Sequence, residues 1–241
     1  MGSSQIRQGT WLNRYLGTDV SFSNGTTWRV QAKLDEKVIQ ESRSVCEDED
    51  IGCEAIGVFQ CANVAGAGPP NAIIKMFIHI PWQDTVNDPA CDRAAQAGKN
   101  HNVTFSEELQ AVKALTEADC SSTPAFFASK TEIQAFDEWV PGGYKRFILM
   151  EHLPGYSCWA GDYYQMPPAE KDRLRTAFKT AWLEAIQVGF RHAGPELCNI
   201  LWDSQRNKCY LVDWMWWDSA YNDAWEDSRF IEWGLWDNTS D

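Results

Sequence analysis

The chain has 241 residues, of which 44% are hydrophobic, enough to bury one sizeable core or two lobes that share a cleft. Its formal net charge of −13 argues against a nucleic acid or an anionic membrane surface as a partner. No apolar run approaches the roughly 20 residues that a membrane span needs, and no secretory leader is visible, so we expect a cytoplasmic protein.

The eight cysteines form no C-x-x-C motif, and no pair of histidines has a zinc-finger spacing. Because the chain is long and no export signal is visible, we expect partly buried thiols rather than disulfides. Tryptophan is abundant near the end of the chain. The residues concerned are Trp214, Trp216, Trp217, Trp225, Trp233 and Trp236. We expect them to pack a core rather than to line an aromatic ligand box.

Residues 1–40 are mixed and polar, with a short strand pattern at 27–34, and are interpreted as an N-terminal extension. The acidic run CEDEDIGCE at 46–54 predicts a solvated loop. Two segments rich in Ile, Val and Phe, 55–62 and 71–80, predict strands. The Pro-, Gly- and Asn-punctuated residues 81–103 predict a long connection.

A helix is predicted to begin near Thr104, which with Glu107 fits a capping box, and further strands are predicted at 123–134 and 144–153. The clearest element is an amphipathic helix over 168–188, ended by Gly189. NILWD and CYLVDW then predict a hairpin.

This order predicts an α+β fold with two lobes. Residues 41–153 would form a strand-rich N-lobe with one helix. Residues 154–241 would form a helical C-lobe that carries the hairpin.

Four features now stand in chain order: Lys75 on a strand, Glu108 on the next helix, LMEHLPG at 149–155 before a linker, and Asn199 and Asp213 around the hairpin. This order resembles the protein-kinase fold over about residues 45–218. Through phrases such as CSSTPA, WVPGGY and KCYLVDW, the chain is similar to a group of short, kinase-like fungal proteins.

The resemblance implies roles for individual residues. Lys75 would reach nucleotide phosphates, Glu108 would be its ion-pair partner, and Asn199 and Asp213 would bind metal ions. A backbone hinge would meet an adenine edge, and it would consist of Met150, Glu151, His152 and Leu153. Gly52 and Gly57 would be the first and third glycines of a phosphate-covering loop.

The catalytic and phosphate loops depart from the kinase pattern. Counting back from Asn199 puts His192 on the His of H-R-D-L-x-x-x-N and Gly194 on the catalytic Asp. Glu196 is the nearby carboxylate that could substitute. Glu54 would replace the middle glycine of the phosphate loop, with Asp48, Glu49 and Asp50 upstream, and these acids oppose a triphosphate.

The D-F-G triplet becomes Asp213-Trp214-Met215, and no A-P-E follows, so we expect a truncated C-terminal lobe and no conventional protein kinase. The leading hypothesis is a kinase-fold protein that binds a small molecule in the interlobe cleft. It would be either a pseudokinase or a repurposed small-molecule enzyme of fungal specialised metabolism. The alternative is a small-molecule phosphotransferase with an atypical catalytic loop. Mg²⁺ and ATP are expected to bind weakly or not at all.

Overall fold

The computed structural model describes residues 10–98, 102–220 and 223–236. It divides into two compact units. The first comprises the chain up to Phe105 together with Phe127–His152, and the second comprises Ser106–Phe126 and Leu153–Asp241. The mixture of an antiparallel sheet and helices confirms the predicted α+β class.

The elements of the first part of the chain are β1 (Asp19–Ser21), β2 (Thr27–Ile39), α1 (Arg43–Glu49), β3 (Glu54–Ala65), β4 (Asn71–His79), α2 (Ala90–Ala94), α3 (Thr104–Glu117), β5 (Phe126–Ile133) and β6 (Tyr144–Glu151). The later elements are β7 (Tyr156–Ser157), α4 (Ala160–Gln165), α5 (Pro168–Val188), β8 (Phe190–His192), β9 (Ile200–Asp203), β10 (Lys208–Leu211), β11 (Trp217–Ser219) and α6 (Ser228–Glu232).

The first unit is built on a six-stranded sheet in the order β1-β2-β3-β4-β6-β5. The interpretation of residues 1–40 as an extension is wrong for the described part, because β1 and β2 belong to this sheet, and residues 1–9 lie outside the described residues. Trp28 and Val30 point into the core while Arg29 is exposed. The polar second half of β2 is held as a strand by pairing, with Glu36 opposite Gly57 of β3.

The acidic run was predicted to be a solvated loop, and this is wrong for part of it. Residues Arg43–Glu49 form α1, a helix of 7 residues. Residues 47–50 are exposed, but Cys46, Cys53 and Glu54 are buried. The average composition of the run concealed this two-sided arrangement. The long connection at 81–103 likewise contains the short helix α2.

The second unit contains the long helix α5, which confirms the predicted span 168–188. Its buried face consists of Lys171, Leu174, Phe178, Ala181, Trp182 and Ala185. Gly189 ends the helix in the left-handed conformation, with φ of 97°, and its N–H donates to the carbonyls of Ala185 and Ile186. The predicted hairpin is also confirmed, since β9 and β10 pair in antiparallel fashion.

An aromatic core fills part of the second unit. Trp214 and Trp233 are almost completely buried, and the rings of Phe178 and Trp233 lie 5.0 Å apart. This confirms the expected packing role for these two tryptophans, whereas Trp216 and Trp236 are exposed. All eight cysteines are thiols in this structure, and Cys91 is exposed.

Gly57 provides a test of the packing in the first unit. A Cβ atom at Gly57 would lie 2.6 Å from Leu12 Cδ1 and 2.7 Å from Phe59 Cε2, and both of those side chains are fully buried. We expect Gly57→Ala to lower the free energy of unfolding by roughly 1–3 kcal/mol, measured by urea denaturation. Gly161→Ala in α4, which would meet no atom within 4 Å, is the matched control. Equal stability of the two variants would contradict this account of Gly57.

Candidate functional site

The loop between β8 and β9 is organised by His192. Its ring is buried, and Nδ1 accepts a hydrogen bond of 3.1 Å from the Gly194 N–H. Nε2 must therefore carry the proton and donate to the Val212 carbonyl, at 3.0 Å. The ring also packs against Trp214 at 4.8 Å. His192 is thus a neutral positioning residue whose two ring nitrogens are both used within the protein.

Asn199 fixes the other side of the same loop. Its Nδ2 donates to the Gly194 carbonyl at 2.9 Å, and the side chain is buried. The Asn199 carbonyl in turn accepts from the Val212 N–H at 3.0 Å. Gly194 is therefore held through both its N–H and its C=O, and the loop has a defined shape without a carboxylate at this position.

The surroundings of Gly194 leave room for a Cβ atom. A Cβ atom there would lie 3.4 Å from His192 Cε1 and 3.5 Å from Asn199 Nδ2, which are ordinary contacts. Gly194 does not have a positive φ, so its backbone does not demand glycine. Neither the backbone conformation nor the contacts of a Cβ atom require glycine at this position.

Glu196 was named as a possible replacement for the missing acid. The structure places it in an exposed position, where its carboxylate accepts a hydrogen bond of 3.3 Å from the Cys198 thiol. Its backbone N–H donates to the Gly194 carbonyl at 2.9 Å. A catalytic role for Glu196 remains a prediction.

Asp213 follows Val212, whose C=O accepts from His192 and whose N–H donates to the Asn199 carbonyl. Its φ of 67° lies in the left-handed region, which is uncommon for a residue other than glycine. Such a conformation costs roughly 1–3 kcal/mol and is enriched at functional sites. The side chain is partly buried and makes further interactions. Asn199 and Asp213 are thus brought together in the second unit through Val212.

Lys75 and Glu108 are both buried, with 4% and 1% of their surfaces exposed. Lys75 lies on β4 in the first unit, and its ammonium is 5.5 Å from the Phe77 ring centroid. Glu108 lies on α3, in the part of that helix that belongs to the second unit. Their ion pair stays a prediction.

The predicted hinge coincides with a boundary in the chain. Met150 and Glu151 end β6, paired with Ile73 and Ala72 of β4. The division between the two units falls between His152 and Leu153. The backbone here changes from one unit to the other, but binding of an adenine edge by these residues remains a prediction.

The predicted phosphate-loop geometry at 52–57 is wrong. Gly57 lies inside β3, opposite Met76 of β4, and Gly52 exchanges hydrogen bonds with the Asn102 side chain at 3.1 and 2.8 Å. The segment that joins β2 to β3 is residues 40–53. A cofactor-binding role for the two glycines stays a prediction, and the contacts of Gly57 already account for its small size.

A buried cluster around Glu54 was missed by sequence reasoning. Glu54 is completely buried at the start of β3, and its Oε2 accepts a hydrogen bond of 2.6 Å from the Thr104 hydroxyl. This is the bond that the Thr104 side chain forms here, rather than the predicted capping contact. Burial raises the pKa of Glu54 to about 7, although Thr104, Tyr144 and the charge of Arg146 act to lower it. The signal in the sequence was a single acid directly between Cys53 and an apolar strand.

No family model and no curated protein matches the chain. Among solved structures it is similar to vaccinia related kinase 3, with a TM-score of 0.43, 13% identity, and coverage of 84% of this chain and 51% of that one. It is also similar to the PK-1 kinase of the Cydia pomonella granulovirus, with a TM-score of 0.43, 12% identity, and coverage of 81% and 55%. The chain spans about half the length of either kinase. The likeness concerns the fold alone and says nothing of what this chain does.

Within 10–98, 102–220 and 223–236, no group of three or more His, Cys, Asp or Glu side chains is arranged to hold a metal ion. Over the same ranges no helix combines the length and apolar character that crossing a membrane requires.

Glu54 makes stability depend on pH. Because its pKa is about 7 in the folded protein against an ordinary value of 4.5, folding favours the protonated form. The stabilisation of the folded state by protonated Glu54 is fully present below about pH 4.5 and falls as the pH rises through 7. It totals about 3 kcal/mol. We expect Glu54→Gln to remove that part of the decline, measured as unfolding free energy in urea from pH 4.5 to 8.

The exposed carboxylate Glu49, at the end of α1, provides the control. Glu49→Gln should keep the pH profile of the parent protein. Parallel profiles for the parent and Glu54→Gln would show that Glu54 is ionised across this range.

Proposed function

We propose that this chain is a kinase-fold protein that binds a small molecule and does not carry out standard phosphotransfer. The observation that carries the proposal is the loop at Gly194. His192 and Asn199 hold its backbone as a catalytic loop would be held, but the position where a kinase has its proton-accepting Asp carries no side chain. A positioned general base is typically worth about 10²–10⁴-fold in rate, so its loss fits binding better than turnover.

The buried charges support a ligand site over an inert scaffold. Lys75 and Glu108 are both retained inside the protein, where an unpaired charge is costly. Asp213 keeps a strained backbone conformation directly after the held peptide group. We propose that Asn199 and Asp213 of the second unit bind the ligand, while the ion pair of Lys75 with Glu108 stays a prediction.

A magnesium ion and a nucleotide triphosphate fit these residues poorly. Asn199 and Asp213 offer oxygen ligands of the kind that Mg²⁺ takes, but two ligands suffice only together with phosphate oxygens. The acids that the resemblance brings near the phosphates, Asp48, Glu49 and Asp50, are all exposed. The neighbouring cation Arg43 is engaged by Glu47 at 3.1 Å. These charges oppose a triphosphate, so the ligand is expected to be less anionic.

A small-molecule phosphotransferase remains the second candidate. The intact hydrogen bond between Asn199 and the Gly194 carbonyl favours it, because the loop still has the order needed to position a substrate. Phosphoryl transfer depends chiefly on positioning and charge stabilisation, so it does not strictly require the base. The absent carboxylate is the stronger of the two arguments, and it favours the protein that binds a small molecule without standard phosphotransfer.

Nucleotide affinity tests the proposal directly. We expect ATP and ADP, with and without Mg²⁺, to give little thermal stabilisation and no low-micromolar affinity by calorimetry, because the exposed acids repel phosphates. In the triple variant Asp48→Asn, Glu49→Gln, Asp50→Asn, affinity should rise if these acids are the cause. Tight Mg·ATP binding by the parent protein would overturn the expectation.

Restoring the acid separates the two candidates. Gly194→Asp should fold, since its Cβ would make only ordinary contacts. We expect it to raise phosphotransfer or ATP hydrolysis by less than about tenfold, well below the effect of a positioned base, because poor phosphate binding remains limiting.

Gly194→Asn is the uncharged control of similar shape, and Asp213→Ala is the blank. The phosphotransferase would be favoured by a gain of about a hundredfold in Gly194→Asp that Gly194→Asn does not show. That gain should also disappear when Asp213→Ala is combined with Gly194→Asp.

A further inference from the structure

Two cysteines of the first unit lie in contact at the ends of one short segment. Cys46 is in α1, Cys53 directly precedes β3, and their Sγ atoms are 3.5 Å apart. Both residues are buried, with 0% and 1% of their surfaces exposed. Neither has a part in the proposed ligand site.

The surroundings of the pair belong to the same segment. Cys53 Sγ accepts a hydrogen bond of 3.4 Å from the Glu41 N–H and also contacts the Glu41 carbonyl at 3.6 Å. The Ile51 N–H donates to the Cys46 carbonyl at 3.2 Å. The two thiols therefore lie where the segment returns on itself between β2 and β3, and a bond between them would close a loop over residues 46–53.

We propose that Cys46 and Cys53 are a redox pair that forms an intramolecular disulfide and thereby fixes α1 against the start of β3. The oxidant is a small-molecule disulfide such as glutathione disulfide. One protein thiolate attacks it, forming a mixed disulfide and releasing one glutathione thiolate. The second protein thiolate then displaces the other glutathione. The two protein thiols lose two electrons and two protons, and glutathione disulfide becomes two glutathione thiols.

Burial makes this reaction depend on the opening of α1. Burial raises the pKa of both thiols, so thiolate is scarce while the segment is closed. The helix has only 7 residues, and residues 47–50 are exposed, which favours local opening at low cost. After the first thiol has reacted in the open form, closure of the segment brings the second thiol back next to the mixed disulfide.

The contacts of Arg43 offer a way to change the opening alone. Its side chain binds Glu47 at 3.1 Å and lies over the Trp82 ring at 5.4 Å. Arg43→Ala removes both contacts but leaves the two cysteines unchanged. If oxidation waits for opening, this variant should form the disulfide several times faster than the parent protein.

The test is incubation of the reduced, full chain with millimolar glutathione disulfide, followed by alkylation, digestion and mass spectrometry. Trypsin cleaves after Arg43 and Lys75, giving one peptide that holds Cys46, Cys53 and Cys61, and in Arg43→Ala the same three cysteines lie in the peptide that follows Lys37. We expect this peptide to lose two hydrogens and to be alkylated at Cys61 alone. The oxidised protein should melt roughly 5 °C higher, and dithiothreitol should reverse both changes.

Single substitutions provide the controls. Cys46→Ser and Cys53→Ser should stop at a glutathione adduct on the remaining thiol, whereas Cys61→Ser should oxidise like the parent. The proposal is overturned if Cys46 and Cys53 stay alkylatable after exposed Cys91 has been fully modified. A disulfide that involves Cys61, or an equal rate for Arg43→Ala, would also overturn it as stated.

Discussion

The peptide groups of Gly194 and Val212 are each held at both ends by the same two residues, His192 and Asn199. His192 accepts from the Gly194 N–H and donates to the Val212 carbonyl. Asn199 donates to the Gly194 carbonyl and accepts from the Val212 N–H. The next residue in the chain after Val212 is Asp213, whose backbone is left-handed. Protonation of the His192 Nδ1 atom would remove an acceptor from the frame, so the geometry requires a neutral ring.

Buried polar groups have a comparable role in the first unit. Burial of the ionised Glu54 side chain lowers the stability of the folded protein. Its bond with Thr104, however, joins the first residue of α3 to the first residue of β3. The start of α3 is thereby tied to the sheet, while the remainder of that helix carries Glu108. The raised pKa of this carboxylate comes from its burial, and the bond with Thr104 offsets only part of that effect.

The sequence was sufficient where side chains repeat with a clear period. The apolar positions of α5 and the Ile- and Val-rich runs of β3 and β4 report burial directly, so these elements were predicted with nearly correct bounds. The prediction of a solvated loop for the acidic run failed, because the composition of the run is an average over exposed acids and the buried Cys46 and Glu54. The second half of β2 was not predicted as a strand, because its sequence is polar and only its pairing with β3 makes it a strand.

For the candidate site, the spacing from His192 to Asn199 predicted residues that the structure does connect, through Gly194. A fixed spacing within one loop is local information, and the sequence contains it. Glu196 is exposed, and spacing alone does not reveal whether a side chain in this loop is exposed or buried. The pairing of Lys75 with Glu108 stays a prediction, because local spacing in the sequence does not reveal contacts between residues of different elements.

Glycine at position 194 is required neither by its backbone nor by its neighbours. Its φ is not positive, and a Cβ atom would meet His192 and Asn199 at ordinary distances. A Cβ atom at this position is therefore compatible with the backbone and with its nearest neighbours. Packing around Cβ does not explain why the position has no side chain. An aspartate here would add a negative charge beside the Asn199 amide, whose Nδ2 atom would lie 3.5 Å from the new Cβ atom, so glycine keeps this part of the loop uncharged.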